Sequence, residues 1–372
     1  MDKKIAHLGI DYHPDSVTIA VLVQDGKDFY DTLHMANNDK VISKYLNKLS
    51  KHFELKLCYE ASSSGYTFQR KVASWGYQCD VIAPSLVPKK RGERRKNDFR
   101  DARELAQLYA KGLLTVVHPP SEEQEAVRSL IRCRLAFKAS VKRGKHQINS
   151  LLLSHNFRWS RTKWTNQHRQ WLGSLQMPHD FLQQSLNEYL AHLDYLETCV
   201  ERLDEQIEHL ARCEIYAPSV KKLRAFKGIG TLTAMVLIAE ITDFRRFPNP
   251  RALMAFLGLI PSENSSAGKQ KGGSITKTGN IRCRTHLIES MQHYSKNPRL
   301  SQQMKHDLSQ VDARSALIAI NCLNRLHKRY WSLIVKGKLR PVALVAIARE
   351  FVGFVWAMMH PEQSAVPQSA AA

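Results

Sequence analysis

The run Ile-Ala-His-Leu-Gly-Ile-Asp at residues 5–11 decides the fold class of the N-terminal part of the chain. A second β-rich run follows at residues 16–23, and Asp25-Gly26 is a turn signal before another short strand. Helical and β-rich runs then alternate downstream, at residues 41–49, 55–60, 65–75 and 79–83. This alternation predicts an α/β domain over residues 1–115.

The middle of the chain, residues 116–218, is predicted to be a helical linker with a coiled coil. Over residues 182–210, apolar side chains alternate spacings of four and three through four heptads, which is the coiled-coil pattern. The heptads favour self-association or an antiparallel helical hairpin, and packing back onto the same chain is the alternative. Residues 121–155 are predicted to form a basic helix, whose cations either form a solvated surface or contact phosphate groups. Residues 156–180 are predicted to be a loop.

The C-terminal part, residues 219–360, is predicted to be mainly α-helical, with a glycine- and serine-rich interruption at residues 262–280. Residues 361–372 are small and polar and are expected to be a disordered tail. The longest apolar stretch, Val342 to Met359, is interrupted by two charged residues. It therefore indicates a buried helix and not a membrane span.

The charge balance points to a polyanionic partner. Lys and Arg number 55 against 34 Asp and Glu, which gives a formal charge of +21. Nucleic acid fits best, because phosphate neutralisation supplies most non-specific affinity, whereas a membrane surface normally needs a basic amphipathic helix or a lipid anchor. The seven cysteines form no CxxC pair, so they predict reduced thiols in the cytoplasm rather than a disulfide framework.

Four acidic residues lie where an α/β domain could bring them together. Asp11 and Glu60 each end a β-rich run, and Asp98 and Asp101 begin a helix on one face. Such a group suits Mg²⁺, which takes oxygen ligands, and two ions about 4 Å apart can stabilise the attacking and leaving oxygens of a phosphoryl transfer. The alternative is that each acid has a separate structural role. Asp11 would then be a turn residue, Glu60 a surface acid, and the Asp98 and Asp101 pair a helix start that the helix dipole favours. The flanking cations would hold a phosphate backbone nearby: Lys89, Lys90, Arg91, Arg94, Arg95 and Lys96.

Two glycine-rich segments follow in the C-terminal part. Lys227-Gly228-Ile229-Gly230 before an apolar helix indicates a helix-hairpin-helix, whose backbone N–H groups would bind a phosphate oxygen, although ordinary turns share the pattern. Residues 256–280 hold serines and lysines among small residues, as a flexible basic loop does. A serine hydroxyl is a weak nucleophile until it is activated, and no histidine within this segment supplies a base.

At these motifs the chain resembles the transposases of insertion sequence family 110, which include the Piv-type DNA invertases. The resemblance covers residues 5 to about 345. Its motifs are, in order, Gly-Ile-Asp11, Tyr-Glu60-Ala, Asp98-Phe-Arg-Asp101-Ala, Gly-Ile-Gly230, Phe-Leu-Gly-Leu-Ile-Pro261 and Ile275-Thr-Lys-Thr-Gly-Asn280, continued by Arg282 and Arg284.

The resemblance implies a RuvC-like N-terminal domain with an RNase H-like fold. Its Asp-Glu-Asp-Asp metal tetrad falls on the four acids named above. The resemblance also implies a serine transposase domain over residues 219–360, whose serine attacks DNA and forms a phosphoserine link. A gapless alignment back from Lys277-Thr-Gly places this serine at Ser265, and one gap places it at Ser266. Ala267 before Gly268 departs from the family's Ser-Gly pair, so both serines stay open, with a slight preference for Ser265.

The partners implied by the resemblance are DNA and a structured non-coding guide RNA from the protein's own element. Members of the family assemble as dimers and tetramers, in which one protomer's acidic domain completes another's serine site. We expect a bacterial, nucleoid-associated protein. Further nucleic-acid contacts are predicted at Gly228, Gly230, Lys269, Lys271, Lys277, Arg282 and Arg284.

The sequence therefore predicts a Mg²⁺-dependent DNA recombinase, or transposase, that uses a serine nucleophile. One alternative is a Holliday-junction-type endonuclease, in which the same four acids activate water and both serines are dispensable. The other is a non-catalytic nucleic-acid-binding protein, in which the acids are surface residues.

Overall fold

The computed structural model describes residues 3–24, 28–61, 65–88, 97–266 and 269–360. The chain divides into two units, Met1–Pro120 and Ser121–Ala372, each with its own hydrophobic core. The finer predicted division, at residues 115, 218 and 360, stays a prediction. The predicted tail, 361–372, lies outside the described residues.

The first unit is built on a mixed six-stranded sheet with strand order β3-β2-β1-β4-β5-β6. Strands β1, β4 and β5 are parallel to one another, and the other pairs are antiparallel. The elements are β1 (Lys4–Tyr12), β2 (Ser16–Val23), β3 (Asp31–Ala36), α1 (Asp39–Ser50), β4 (Phe53–Glu60), α2 (Thr67–Ser74), β5 (Cys79–Ile82), α3 (Asp98–Ala110) and β6 (Val116–Val117). The predicted α/β domain is confirmed, and this sheet is consistent with a RuvC-like fold.

The alternation of side chains along β1 explains how the helices cover the sheet. Successive residues of a strand point to opposite faces. Residues 6, 8 and 10 are apolar and fully buried, in one core with the apolar faces of α1 and α2. Residues 7, 9 and 11 share the opposite face, where His7 contacts Tyr109 of α3 ring to edge. Asp11 therefore emerges on the side of the sheet that α3 covers.

Gly9 is the point at which α3 lies closest to the sheet. A Cβ atom at this position would lie 2.3 Å from both the Ala102 carbonyl oxygen and the Ala106 backbone nitrogen. No other amino acid fits without moving the helix, because the clash is with backbone atoms. The close approach brings the first turn of α3 to the end of β1, and Asn97 caps that turn by accepting a hydrogen bond from the Phe99 N–H.

The second unit is helical apart from one β-hairpin. Its elements are α4 (Glu122–Ser154), α5 (Asn166–Ser174), α6 (Asp180–Arg212), α7 (Ala217–Arg224), α8 (Thr231–Ile241), α9 (Pro250–Phe256), β7 (Pro261–Ser266), β8 (Lys269–Ile275), α10 (Ile281–Ser290), α11 (Gln302–Ser309), α12 (Ala313–Val335) and α13 (Arg340–Met359). The prediction of a mainly helical C-terminal part is confirmed.

The two 33-residue helices, α4 and α6, pack against each other in antiparallel directions. Ion pairs join Arg134 to Asp204 at 2.7 Å and Lys145 to Glu197 at 2.6 Å. The later residue of α4 thus pairs with the earlier residue of α6, as antiparallel helices require. The heptad positions of α6 supply buried side chains to this interface. Helix α6 thus packs within the chain as one arm of an antiparallel helical pair, as the hairpin prediction described. The coiled coil and the self-association stay predictions.

Two segments predicted as loops contain regular structure. Helix α5 lies within residues 156–180, where Thr165 caps it by accepting a hydrogen bond from the His168 N–H. The predicted interruption at residues 262–280 contains most of an antiparallel hairpin formed by β7 and β8, in which Pro261 lies opposite Ile275. The Trp, Arg and His residues of the first segment hid its helical period. The small residues of the second resembled a loop because they lack β propensity.

Helix α13 is the one helix in the described part of the chain that is long and apolar enough to cross a membrane. Half of its apolar window is buried inside the protein, as in the core helix of many proteins without a membrane span. Phe351 and Ile347, both fully buried, belong to the core of the second unit.

Candidate metal centre and serine hairpin

The parallel strands β1 and β4 bring two of the predicted acids to one edge of the sheet. Ile10 lies opposite Tyr59 in the register, so the next residue of each strand is a carboxylate, Asp11 or Glu60. Cys58, two residues before Glu60, packs in one cluster with Leu105 of α3. Since every second residue of a strand shares a face, Glu60 and Asp11 both lie on the face of the sheet that α3 covers.

A three-ligand group lies at this edge. One carboxylate oxygen each from Asp11 and Asp98 and one ring nitrogen of His13 all lie within 4.8 Å of one another. All three residues are half-buried, and His13 Nε2 is 3.3 Å from Asp11 Oδ1. Two carboxylates and an imidazole are a donor set that divalent ions such as Mn²⁺ and Mg²⁺ accept. The residues present therefore fit a divalent metal ion.

The other two predicted acids lie outside this three-ligand group. Glu60 is exposed at the end of β4, and Asp101 is half-buried one helical turn after Asp98. In the described ranges, no further set of three His, Cys, Asp or Glu side chains meets the same distance. The structure thus brings together two of the four acids, and the complete tetrad stays a prediction.

His13 is a candidate ligand that the sequence reasoning missed. It lies just beyond β1, two residues after Asp11, at the spacing that puts side chains on one face of an extended chain. The signal was the short motif Asp-Tyr-His itself. The predicted phosphate-contacting cations of this unit, residues 89–96, lie outside the described residues.

In the second unit, the hairpin that carries the candidate serines is closed at its base by backbone contacts. The Thr276 N–H donates to the Ile260 carbonyl oxygen, and the Asn280 N–H donates to that of Phe256. Gly258 and Gly279, with φ of 66° and 90°, lie so close to the opposite segment that a Cβ would clash with its carbonyl oxygens. The two ends of the hairpin are therefore held together tightly.

Ser265 and Ser266 are adjacent residues near the tip of this hairpin. In the backbone register Ser265 lies opposite Gln270, and Ser266 lies opposite Lys269. Lys271 also belongs to β8, opposite Asn264. Both serines are thus on β7, with the two predicted lysines on the partner strand.

The other predicted nucleic-acid contacts lie around this hairpin. Lys277 and Arg282 are exposed. Arg284 is buried instead, and its guanidinium donates to the carbonyl oxygens of Leu257 (2.9 Å) and Thr278 (3.4 Å). These bonds tie α10 to the hairpin base. The structure thus gives Arg284 a role in holding the loop, so we leave it out of the proposed DNA-binding surface.

The glycines of the predicted helix-hairpin-helix lie between α7 and α8. Gly228 has φ of 85°, and a Cβ there would lie 2.8 Å from the Ser290 carbonyl oxygen. Gly230 caps α8. Close packing is sufficient reason for Gly228, and phosphate binding by this turn stays a prediction.

Comparisons with known proteins decide the family. A model described as the transposase IS116/IS110/IS902 family matches residues 220–305, and a transposase model of the IS110 DEDD type matches residues 8–157. A protein of Sinorhizobium fredii named as a transposase, y4qE, is 35% identical over 86% of this chain and 80% of its own length. The chain belongs to the IS110 family of transposases.

Two further relatives are also named as transposases. The transposase for insertion sequence element IS1533 of Leptospira borgpetersenii is 31% identical over 68% of this chain and 75% of its own length. The transposase for insertion sequence element IS1111A of Coxiella burnetii is 23% identical over 97% of this chain and 92% of its own. This protein is accordingly a transposase of an insertion-sequence mobile element, and its DEDD-type domain indicates use of a divalent metal.

In this transposase, a buried carboxylate links the hairpin base to helix α4. Glu240 is 4% exposed and accepts two hydrogen bonds from Arg132, at 2.7 and 2.8 Å, and one from Asn280 Nδ2 at 2.7 Å. Burial alone would raise the pKa of Glu240, but the Arg132 and Asn280 contacts outweigh it and hold the pKa below its ordinary value. Asn280 in turn caps α10 through the Cys283 N–H. Sequence reasoning missed this residue, because an acid in an apolar helix carries no sign of its partners.

We expect Glu240→Ala to lower the free energy of unfolding of the transposase by about 2–4 kcal/mol. Removing one partner of a buried ion pair costs up to about 5 kcal/mol, and Arg132 remains partly solvated. Because the folded pKa of Glu240 is depressed, its stabilisation is present above its unfolded pKa, near 4.3, and is lost as pH falls through the folded value. Chemical denaturation of both proteins at pH 7, and then at a series of pH values falling below the unfolded pKa, measures both effects.

Glu214→Ala is the matched control for this prediction, because Glu214 is exposed on the same unit. Its effect should stay within about 0.5 kcal/mol. Equal stability of Glu240→Ala and Glu214→Ala at pH 7 would show that the buried pair contributes nothing.

Proposed function

We propose that this transposase cuts and rejoins DNA through a covalent phosphoserine intermediate, with Mg²⁺ held by its N-terminal carboxylates. The observation that carries the proposal is the convergence of Asp11 and Asp98, 87 positions apart in the sequence, with His13 at one edge of the sheet. Convergence at the end of β1 is what a metal-dependent phosphoryl-transfer centre requires.

Asp11, Asp98 and His13 would hold the ion, which when bound supplies positive charge beside the scissile phosphate. Glu60 lies next in register to Asp11, and Asp101 lies one helical turn after Asp98. These positions support the tetrad that the resemblance implies, in which both acids would join Asp11 and Asp98.

The serine step conserves the energy of the phosphodiester bond. The Oγ atom of Ser265 or Ser266 attacks phosphorus, the bond from phosphorus to the 3′ oxygen breaks, and the proton lost by the hydroxyl is balanced by one gained at the 3′ oxygen. A 3′-hydroxyl later attacks the phosphoserine and restores a phosphodiester. No nucleotide cofactor is needed, because the covalent phosphoserine link conserves the energy of the broken phosphodiester bond.

DNA is the substrate we propose, and the formal charge of +21 suits it. The resemblance supports two further partners, a structured guide RNA from the same element and additional copies of this chain in dimers and tetramers. Exposed Lys277 and Arg282 at the hairpin base are candidates for phosphate contacts.

A covalent-trapping experiment tests the proposal. The full chain is incubated with RNA transcribed from its own element, 3′-end-labelled DNA from the ends of that element and about 5 mM Mg²⁺, a concentration well above common affinities for this ion. The mixture is then analysed under denaturing conditions. We expect label that migrates with the protein. Cleaved DNA without protein-linked label would replace the serine mechanism by the water-using endonuclease, and an absence of both products would overturn the proposed activity.

A further inference from the structure

The distal end of the α4–α6 pair carries a pocket that the proposed chemistry does not use. It lies where α4 ends, the following loop turns back, and α5 packs over the two long helices. We call it the tip pocket. Its volume is about 220 Å³, and its lining includes Asn149, Phe157, Arg158, Trp159, Lys163, His168 and Trp171. Most of this segment lies between the two family matches, because the first match ends at residue 157 and the second begins at residue 220.

Flat rings make up much of the pocket wall. Three of the six tryptophans of the chain, Trp159, Trp164 and Trp171, lie within these few residues. The ring centroids of Trp159 and Trp171 are 5.2 Å apart, and the His168 ring lies 5.4 and 5.5 Å from them. The two pocket tryptophans are only half-buried, so part of their π surface stays open to a ligand.

His168 adds a third, uncharged ring to this wall. Its Nδ1 accepts a hydrogen bond from the Trp164 N–H at 3.1 Å, so that nitrogen carries no proton. Burial, with the nearby cations Lys163 and Arg169, lowers the pKa of His168 below its ordinary value. The positive charge at the pocket therefore comes from the side chains around the rings and not from the imidazole.

The stretch of chain that supplies the lining of the tip pocket carries charged side chains of one sign, and the acids nearest to it belong to α6. Between Glu125 and Asp180 the sequence contains no Asp or Glu. The same interval holds eleven Lys and Arg residues: Arg128, Arg132, Arg134, Lys138, Lys142, Arg143, Lys145, Arg158, Arg161, Lys163 and Arg169. Several of these pair with acids of other helices, but Arg158, Arg161 and Lys163 are exposed and form no ion pair among the described residues.

Open aromatic faces beside unpaired cations suit a ligand that is flat, aromatic and anionic. An unpaired nucleotide combines these properties in one group, because its base has a π face and its phosphate a negative charge. The pocket is smaller than the roughly 300–1,000 Å³ of drug-sized sites, which suits one ring system rather than a larger cofactor. If the rings served only to pack the end of the α4–α6 pair, the packing would not require the exposed cations Arg158, Arg161 and Lys163 beside them.

We propose that the tip pocket binds an unpaired nucleobase of a single-stranded nucleic acid. The base stacks on the open faces of Trp159 and Trp171, and Arg158 and Lys163 contact the adjoining phosphates. Binding here is independent of the phosphoserine chemistry, so it is testable in the absence of metal and of strand cleavage.

The test uses the full chain in EDTA with fluorescein-labelled oligouridine and, separately, oligothymidine of about 12 nucleotides. Binding is followed by anisotropy, and stacking by quenching of the intrinsic tryptophan fluorescence. Trp159→Leu removes a stacking ring, and Trp159→Phe restores one. Trp331→Leu is the matched control, because Trp331 is an exposed tryptophan on α12, outside the pocket. Arg158→Ala with Lys163→Ala tests the phosphate contacts without touching buried groups.

We expect Trp159→Leu to weaken binding of at least one oligonucleotide about 5- to 100-fold, the loss measured for one stacked base. Trp159→Phe should retain most of the affinity, and Trp331→Leu should bind as the unaltered protein does. The double cation variant should bind more weakly and with a smaller salt dependence. The oligonucleotide whose affinity falls identifies RNA or DNA as the source of the base.

Equal affinities of Trp159→Leu and Trp331→Leu for both oligonucleotides would overturn the proposal. So would a loss in Trp159→Leu that Trp159→Phe shares fully, since that result indicates damage to packing. Circular dichroism of each variant separates such damage from a lost contact.

Discussion

Replacing Asp11 with Asn is expected to reduce strand cleavage by the transposase more than about 100-fold. Loss of an outer partner of a metal ligand already costs about 10- to 100-fold, and Asp11 is a candidate ligand itself. The amide keeps the shape of the side chain, so β1 and its contact with α3 should persist. Cleavage of labelled DNA in Mg²⁺ measures the activity, and Mn²⁺ binding followed by electron paramagnetic resonance measures the site.

Asp15→Asn is the matched control for Asp11→Asn. Asp15 is an exposed acid four residues further along, outside the three-ligand group, so its variant should cleave DNA and bind Mn²⁺ as the unaltered protein does. An Asp11→Asn protein that retains full cleavage and full Mn²⁺ affinity would remove the metal centre from this edge of the sheet.

His13→Gln provides an intermediate case at the same centre. An imidazole nitrogen suits Mn²⁺ better than Mg²⁺, which prefers oxygen ligands. We therefore expect His13→Gln to weaken activity with Mn²⁺ more than activity with Mg²⁺. The same loss with both ions would mean that His13 only orients Asp11 through their 3.3 Å contact.

The second large effect is expected at the hairpin serines. Ser265→Ala or Ser266→Ala, whichever removes the nucleophile, should lower the amount of protein-linked label by at least about a thousandfold, because removal of a nucleophile is among the most damaging changes in covalent catalysis. The other variant should retain the link. The denaturing assay described for the proposed function measures this directly.

Ser274→Ala is the control for the two serine variants, because Ser274 lies on the partner strand β8 and is exposed. The tight base of the hairpin, with its opposed Gly258 and Gly279, lies outside all three substitutions. If the Ser265→Ala, Ser266→Ala double variant still cuts DNA at the original rate, water is the nucleophile and the serine mechanism is wrong.

Much of the N-terminal unit could be predicted from the sequence, because strand and helix periods are local properties. The alternation along residues 5–11 predicts a strand with one apolar face, and this is how β1 packs. Asp11 and Asp98 could be named as site candidates from their positions at element ends. Their mutual distance could not, since it depends on how closely α3 approaches Gly9.

The C-terminal unit was harder to predict where its structure depends on distant partners. The hairpin of β7 and β8 consists of small and polar residues, and it is held at its base by bonds to segments before and after it. Glu240 looks out of place in an apolar helix until Arg132, 108 positions earlier, and Asn280, 40 positions later, reach it. Arg284, predicted to contact nucleic acid, is instead a buried donor to backbone carbonyls.

By itself, the sequence determined the α/β class of the first unit, the helical class of the second and the basic charge. These follow from residue order, period and composition, which need no knowledge of distant contacts. The family follows from the sequence as well, through its similarity to known transposases. Only the tertiary structure decided that His13 joins Asp11 and Asp98, that Glu240 anchors the serine hairpin, and that Trp159 and Trp171 meet at the tip pocket. Each of these depends on side chains that meet only after the helices have packed, and packing is a cooperative property of the whole unit.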